Sequence, residues 1–343
     1  MKHINIPIFI PHLGCPNQCI FCNQRHISGT VQFNEDEVEE TILRVLSTVS
    51  PDDKCEIAFF GGSFTGIDRD LMIRLLDTAQ KHVNTGRISG IRMSTRPDYI
   101  NDEIIEILKR YTVSCVELGI QSMNDNVLSF LKRGHTSVDT VNATKLLNKA
   151  SIPFVGQMMI GLPTATKEDE IDCARKICEL GAVASRIYPT LVFCNTELEA
   201  LTHNSTYNPL SLDEAIERSA DVLGVFVENH VECIRIGLCE SDNLHSDKSF
   251  VAGPNHPSIG EMVKGTLYLK LIEKQIDTNI DDFMVVYCPK GAVSQIVGNK
   301  GKNKDYLRQK YGIKKIKIVE DNMLRPFDIK ISAKEEKDVF KIT

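Results

Sequence analysis

The chain contains no apolar run approaching the roughly 18 residues that a membrane-spanning helix requires, so no segment of it reads as a span. It also lacks any excess of positive charge. Lys and Arg number 40 against 46 Asp and Glu, a net charge of −6. A polycation is excluded, and any nucleic-acid surface has to be local. The opening residues Met1-Lys2-His3-Ile4-Asn5 lack a secretory profile, because the short apolar stretch runs straight into cysteines. A cytoplasmic protein is expected. There is no disulfide framework either. Eleven cysteines are an odd number, mostly scattered singly, and a chain of 343 residues needs no staples. Cys55, Cys115, Cys173, Cys178, Cys194 and Cys288 lie in apolar or amphipathic stretches and read as buried small hydrophobes.

The most informative absence is a fourth cysteine. Cys15, Cys19 and Cys22 stand as C-x3-C-x2-C, and no fourth follows closely. Closed structural zinc sites take four ligands, and ordinary iron–sulfur clusters take four thiolates. Three thiolates on a cubane leave one iron open, able to hold a small molecule and pass it an electron. A [4Fe–4S] cluster with an open iron is therefore expected. Zinc with a remote fourth ligand, or incidental thiols, are the alternatives. Phe21, just before the third cysteine, would shield a cluster from solvent, one lever on its potential.

With 42% hydrophobic and 25% charged residues, the composition is that of a globular protein, long enough for one large domain and a small appended one. Short β-rich runs (Ile4–Ile10, Glu56–Phe60, Gly90–Ser94, Ser114–Gly119, Phe154–Ile160, Ala184–Tyr188) alternate with helical patterns (Glu35–Thr48, Asp70–His82, Asp102–Arg110, Asp125–Leu131, Val138–Lys149, Lys167–Leu180). Such alternation predicts an α/β fold with a parallel sheet, either a partial barrel or a doubly wound sheet. Ligands then bind at the carboxyl ends of the strands. Cys15–Cys22, Gly61-Gly62-Ser63-Phe64-Thr65, Ser94-Thr95-Arg96-Pro97-Asp98, Gln121-Ser122 and Gly161-Leu162-Pro163 follow five successive strands and describe one rim. From about Ser211 the pattern changes: a helix Leu212–Asn229, a strand Cys233–Gly237, an irregular stretch Ala252–Gly260, and a helix Glu261–Lys274 before an acidic turn. The expected domains are 1–240, a connecting extension 241–280, and 281–343, with the boundary inside 275–282.

The cysteine loop after a first strand, with an aromatic before its last cysteine, resembles the radical S-adenosylmethionine superfamily. The resemblance implies a partial (β/α)6 TIM-like barrel whose open iron chelates the amino and carboxylate groups of S-adenosylmethionine. One electron, from an external donor such as flavodoxin or ferredoxin, then yields a 5′-deoxyadenosyl radical. Gly61-Gly62-Ser63 is similar to the family's glycine turn, whose backbone meets the methionine amino group. The segments around Ser94, Glu117–Ser122, Leu131–Thr136, Gly156–Pro163 and Arg186–Leu191 resemble a narrower group that contains the catalytic subunit of Elongator and the oxygen-independent coproporphyrinogen oxidases. By that resemblance Gln121 and Gln157 meet ribose hydroxyls and Arg133 the carboxylate. Ser94 stands where an acidic residue is frequent, and Gln157 where relatives carry Asp or His. The stretches Tyr188–Leu191, Thr196–Leu198 and Tyr207–Leu210 look like the Elongator branch. At 343 residues, with no visible acetyl-CoA loop, the acetyl-CoA reaction of Elongator is not expected intact.

A second loaded region is C-terminal. Phe283–Tyr287 reads as a strand, Ala292–Val297 as a short helix, then Gly298-Asn299-Lys300-Gly301, a helix Lys304–Lys310 and a strand Ile313–Val319. A G-x-x-G loop between two short helices is the arrangement of a KH module, which clamps about four nucleotides of single strand. Residues 289–318 carry eight Lys and Arg308 against one acid, Asp305, as an RNA-docking patch would. Gly298, Asn299, Lys300, Gly301, Lys302 and Lys304 are the candidate RNA contacts. Cys233, Cys239, His245 and His256 could form a second metal site, but turn and strand-end residues without such a role are the simpler reading. The expected function is modification of an RNA base, in tRNA. The rivals are a radical enzyme acting on a tetrapyrrole or other small molecule, and an RNA-binding iron–sulfur sensor without turnover.

Overall fold

The computed structural model describes residues 2–15, 19–23, 33–238, 249–276 and 282–333. In chain order the elements are β1 (His3–Phe9), α1 (Glu37–Leu46), β2 (Lys54–Phe60), α2 (Arg69–Asn84), β3 (Gly90–Thr95), α3 (Asp102–Leu108), β4 (Val113–Gln121), α4 (Asp125–Phe130), α5 (Ser137–Lys149), β5 (Phe154–Ile160), α6 (Lys167–Glu179), β6 (Ala184–Pro189), β7 (Val192–Phe193), α7 (Glu197–His203), α8 (Leu212–Glu228), β8 (Glu232–Ile236), β9 (Phe250–Ala252), α9 (Ile259–Gln275), β10 (Phe283–Cys288), α10 (Val293–Val297), α11 (Lys302–Tyr311), β11 (Lys315–Glu320) and β12 (Lys330–Ser332).

Seven strands form one sheet in the order β1-β2-β3-β4-β5-β6-β8, every neighbouring pair parallel. This is the expected α/β partial barrel, extended by one strand. β8 lies in the region where the sequence pattern changes, yet it docks parallel to β6 and continues the sheet. Side chains alternate between the two faces. Ile57, Phe59, Ile91, Met93, Phe154, Met158 and Ile187 are completely buried beneath the helices. Their neighbours in sequence face the inside of the barrel and are largely polar.

The helices start where local chemistry dictates. Thr136 with Asp139, Thr166 with Asp169, and Ser211 with Glu214 form reciprocal capping boxes at the starts of α5, α6 and α8. Asn124 caps α4 and also donates to Asp169 at 2.8 Å, tying two starts together. The periodicity gave no sign of α7 or of the antiparallel β7–β9 pair. Strands of two and three residues are too short for alternation to register.

The C-terminal sheet has the order β11-β10-β12, with β10 parallel to β11 and antiparallel to β12. A parallel pair needs a crossover, and here α10, a loop and α11 supply it. Its core unites Met284, Val286, Cys288, Ile296, Leu307 and Ile316 with Tyr268 and Ile272 of α9. Val263 and Leu267, on the same helix, belong to the barrel core. The stretch expected as a mere connection thus contributes to both cores. Cys239, His245 and the acidic turn at 277–281 lie outside the described residues.

Glu170 on α6 marks a structural weak point. It is 3% exposed and accepts from Gly161 N at 2.6 Å and from Nη2 and Nε of Arg218 on α8 at 2.6 and 2.8 Å. Burial pushes its carboxyl above the usual range, while Arg218 and the Gly161 N–H pull it back. Arg218→Met leaves a buried, uncompensated carboxylate and should cost about 3 kcal/mol, read by urea denaturation.

Candidate functional site

The cysteine loop leaves the end of β1 and is held by three other elements. His12 N–H donates to Gly61 O at 3.1 Å and Ser63 N–H to Leu13 O at 3.1 Å, pinning the loop to the turn after β2. Ile20 N–H donates to Leu131 O at 3.2 Å, and Leu198 N–H donates to Ile20 O at 2.8 Å. The Ile20 side chain is buried in a small cluster with Val127, Leu131, Leu162, Val192, Leu198 and Tyr207. Phe21 packs against that cluster, half-buried. Its apolar contacts therefore help to fix the loop.

Gly62 explains the turn. A Cβ there would overlap the carbonyl oxygens of Ile10 and Leu13. No side chain fits between the second strand's turn and the cysteine loop. Ser63 is buried beside Cys15, with Oγ and Sγ 3.5 Å apart.

Cys19 is 7% exposed, and Cys15 and Cys22 are half-buried. Among the described residues no three His, Cys, Asp or Glu side chains converge on a single ion. A cubane takes each thiolate on a different iron, so it does not require that convergence. The surroundings fit a bound group. Arg133 is 8% exposed. Its Nη1 donates to Cys19 Sγ at 3.4 Å and its Nη2 to Gly119 O at 2.8 Å, while Nε has no partner. Arg96 is 2% exposed and forks onto Asp98 at 2.8 and 2.9 Å, leaving Nη1 unpaired. Gln121 Oε1 and both ring nitrogens of His135 are buried without partners. Burial, then the charges of Arg133 and Arg96, push His135 down to about 4, so it is neutral at pH 7. Buried polar atoms without partners are costly. Several of them beside three thiols suit a polar ligand.

The sequence-derived residues divide as follows. Gly61, Gly62 and Ser63 lie against the cysteine loop, and Arg133 reaches Cys19. Gln121 ends β4 at a register shift, with φ of +65°, a conformation that is uncommon outside glycine. Ser94 is half-buried and pairs in register with Glu117. Gln157 donates to Glu117 at 2.7 Å, so its amide nitrogen is engaged within the protein. Gly298–Gly301 belongs to the separate C-terminal unit. There Gly298 has φ of +78° and Gly301 +83°, and a Cβ on Gly298 would sit 2.8 Å from Asn303 N. Lys300 and Lys302 are exposed and Lys304 half-exposed. The basic patch is narrower than its composition implies: Lys310 pairs with Glu273, Lys314 with Asp282, and Arg308 with Asp305.

Sequence reasoning assigned no role to a polar layer across the barrel interior. Glu56 accepts from His3 at 2.9 Å and from Arg92 at 3.1 Å. Glu117, 1% exposed, accepts from Arg92 at 3.0 Å and from Arg186 at 2.7 Å. Burial works to raise Glu56, but Arg92, His3 and Ser114 outweigh it and hold the carboxyl below its usual range. The only signal was a lone charge inside each apolar strand.

Residues 9–177 match the model of the Radical SAM superfamily and residues 183–268 that of the Radical_SAM C-terminal domain. A tRNA uridine(34) acetyltransferase of Methanocaldococcus jannaschii is 31% identical over 244 residues, covering 59% of this chain and 45% of that protein. The chain thus spans less than half the length of that relative. An uncharacterized protein of the same organism is 27% identical over 234 residues, covering 65% of this chain and 71% of it. The archaeal Elp3 of Methanocaldococcus infernus, solved with an N-terminal deletion, shares the fold with a TM-score of 0.63 and 23% identity over 80% of this chain and 64% of that one. Gly62→Ala should displace the cysteine loop and lower the iron and sulfide bound after anaerobic reconstitution. The control Gly224→Ala on α8, where a Cβ meets only an ordinary contact with Leu267, should leave both unchanged.

Proposed function

We propose, for a chain that belongs to the radical S-adenosylmethionine superfamily, that it is an enzyme modifying a base of RNA, specifically of tRNA. Members of that superfamily carry a [4Fe–4S] cluster and S-adenosylmethionine. Together these supply, once bound and reduced by one electron, a 5′-deoxyadenosyl radical able to abstract hydrogen. Cys15, Cys19 and Cys22 would hold the cluster. Arg133, which donates to Cys19 Sγ, would tune the potential of a bound cluster, since hydrogen bonds to sulfur are one determinant of it. The turn Gly61–Ser63, Gln121 and Arg133 border the same space and would orient S-adenosylmethionine. The apolar cluster around Ile20, with Phe21 against it, would limit the access of water to the cysteine loop. Flavodoxin or ferredoxin would be the electron donor.

The RNA part of the reading is carried by the Gly298–Gly301 loop. It joins two helices that cross between the parallel strands β10 and β11. Its positive-φ glycines carry no side chains to block a close backbone approach, although the Gly298 and Gly301 N–H groups bond within the loop, and no side chain caps the start of α11. Such a loop clamps a phosphate backbone, and exposed Lys300 and Lys302 add charge beside it. The relative named tRNA uridine(34) acetyltransferase supports tRNA as the substrate class.

Two measurements test this. Reconstituted, reduced protein should release 5′-deoxyadenosine from S-adenosylmethionine, and Cys19→Ala should abolish that release; no release from the wild type defeats the enzyme reading. Transfer RNA should bind with steep salt dependence, and Gly298→Asp/Gly301→Asp should weaken it by about tenfold or more. Absence of tRNA binding at low salt would sink the RNA assignment.

A further inference from the structure

We infer that the barrel rim beside β6 and β8 carries a separate binding site for a small molecule bearing a carboxylate or phosphate group, anchored by Arg235. The inference names a co-substrate class for the proposed enzyme and rests on that reading only for what the bound molecule would be used for.

The argument starts from the inner polar layer. Register places Gln157 beside Arg186, and Arg186 beside Arg235, so Arg235 is the last member of the layer, on the edge strand. Both carboxylates of the layer are already engaged. Glu56 is held by His3 and Arg92, and Glu117 by Arg92, Gln157 and Arg186. Neither of them reaches Arg235, and among the described residues no acid pairs with its side chain, although it is half-buried. The neighbouring Arg186 also keeps one buried nitrogen, Nε, without a partner. A guanidinium withdrawn from water without an anion is unfavourable, and its planar fork suits a carboxylate or phosphate.

Arg235 lines a cavity of about 300 Å³, together with Cys233, Gly237, His256, Glu261 and Lys264. That volume lies at the lower end of small-ligand pockets. The wall offers donors. Among the described residues Glu261 is its one acid, and it accepts from Lys264 at 3.0 Å and Gln295 at 2.9 Å. Within that described lining Arg235 and Lys264 outweigh it by one positive charge. His256 Nδ1 accepts the Ser258 N–H at 3.0 Å, which puts the proton of the neutral ring on Nε2, as a further donor. Burial pushes the Cys233 thiol up to about 11, so it brings no negative charge. A partly open, donor-lined recess differs from the exposed lysines of the Gly298–Gly301 loop. A small oxyanion-bearing molecule fits it better than a nucleic-acid backbone does.

The test uses reconstituted holoenzyme with two probes, inorganic phosphate and malonate, followed by calorimetric titration. At least one probe should bind saturably. Arg235→Gln should weaken it by about tenfold or more, Arg235→Lys less, and Lys300→Ala not at all. If Arg235→Gln does not fold, Lys264→Ala should weaken the same binding. Saturation by neither probe, or wild-type affinity in Arg235→Gln, overturns the inference. So does full displacement of the probe by tRNA, which would make the cavity part of an RNA track. Release of 5′-deoxyadenosine is followed in the same samples. It reports on the cluster and not on the probe, so failure of this site and failure of the enzyme reading are told apart.

Discussion

The whole site depends on a backbone seam between the loop after β1 and the turn after β2. Three thiols in a loop have no fixed geometry of their own. They gain one because Gly62 lets the turn lie directly under Ile10 and Leu13, with hydrogen bonds on either side from His12 and Ser63. On the far side Ile20 is locked by backbone bonds to Leu131 and Leu198 and by its own burial. The loop is thus clamped by segments reaching as far as Leu198, more than 170 residues along the chain from Ile20. Arg133 then reaches in from the segment after α4 to touch Cys19.

Much of this was legible beforehand, for identifiable reasons. The strands read clearly because one face of each is buried under helices, giving uninterrupted apolar positions. The helix starts read clearly because Thr136, Thr166 and Ser211 begin complete capping boxes. The cysteine spacing and the glycines of both loops are local signals. The polar layer inside the barrel was illegible for the opposite reason. Glu56, Arg92, Glu117, Gln157, Arg186 and Arg235 each stand alone in a different strand, and only sheet register brings them together.

The C-terminal patch shows the same limit in terms of charge. Counted over 289–318, the segment is strongly basic, but Glu273 and Asp282, which neutralise Lys310 and Lys314, lie outside that window. What survives is a smaller positive surface, with Lys300 and Lys302 exposed beside positive-φ glycines and Lys290, Lys315 and Lys317 exposed elsewhere in the unit. A patch of this size limits any indiscriminate attraction for polyanions, because the electrostatic, sequence-independent part of such affinity scales with the number of phosphates neutralised.

α9 is where the two halves of the chain meet. Val263 and Leu267 are buried in the barrel core, and Tyr268 and Ile272, one turn further on, in the C-terminal core. Asn303, at the start of α11, donates to Gly265 O of the same helix at 2.9 Å, so the G-x-x-G loop is referenced directly to α9. The first turns of α9 in their turn supply Glu261 and Lys264 to the cavity at the barrel rim. One rigid helix therefore carries wall residues of the rim at one end and the core of the basic unit at the other. The distance between the Gly298–Gly301 loop and the rim is set by that helix and its contact with Asn303, and not by a flexible linker.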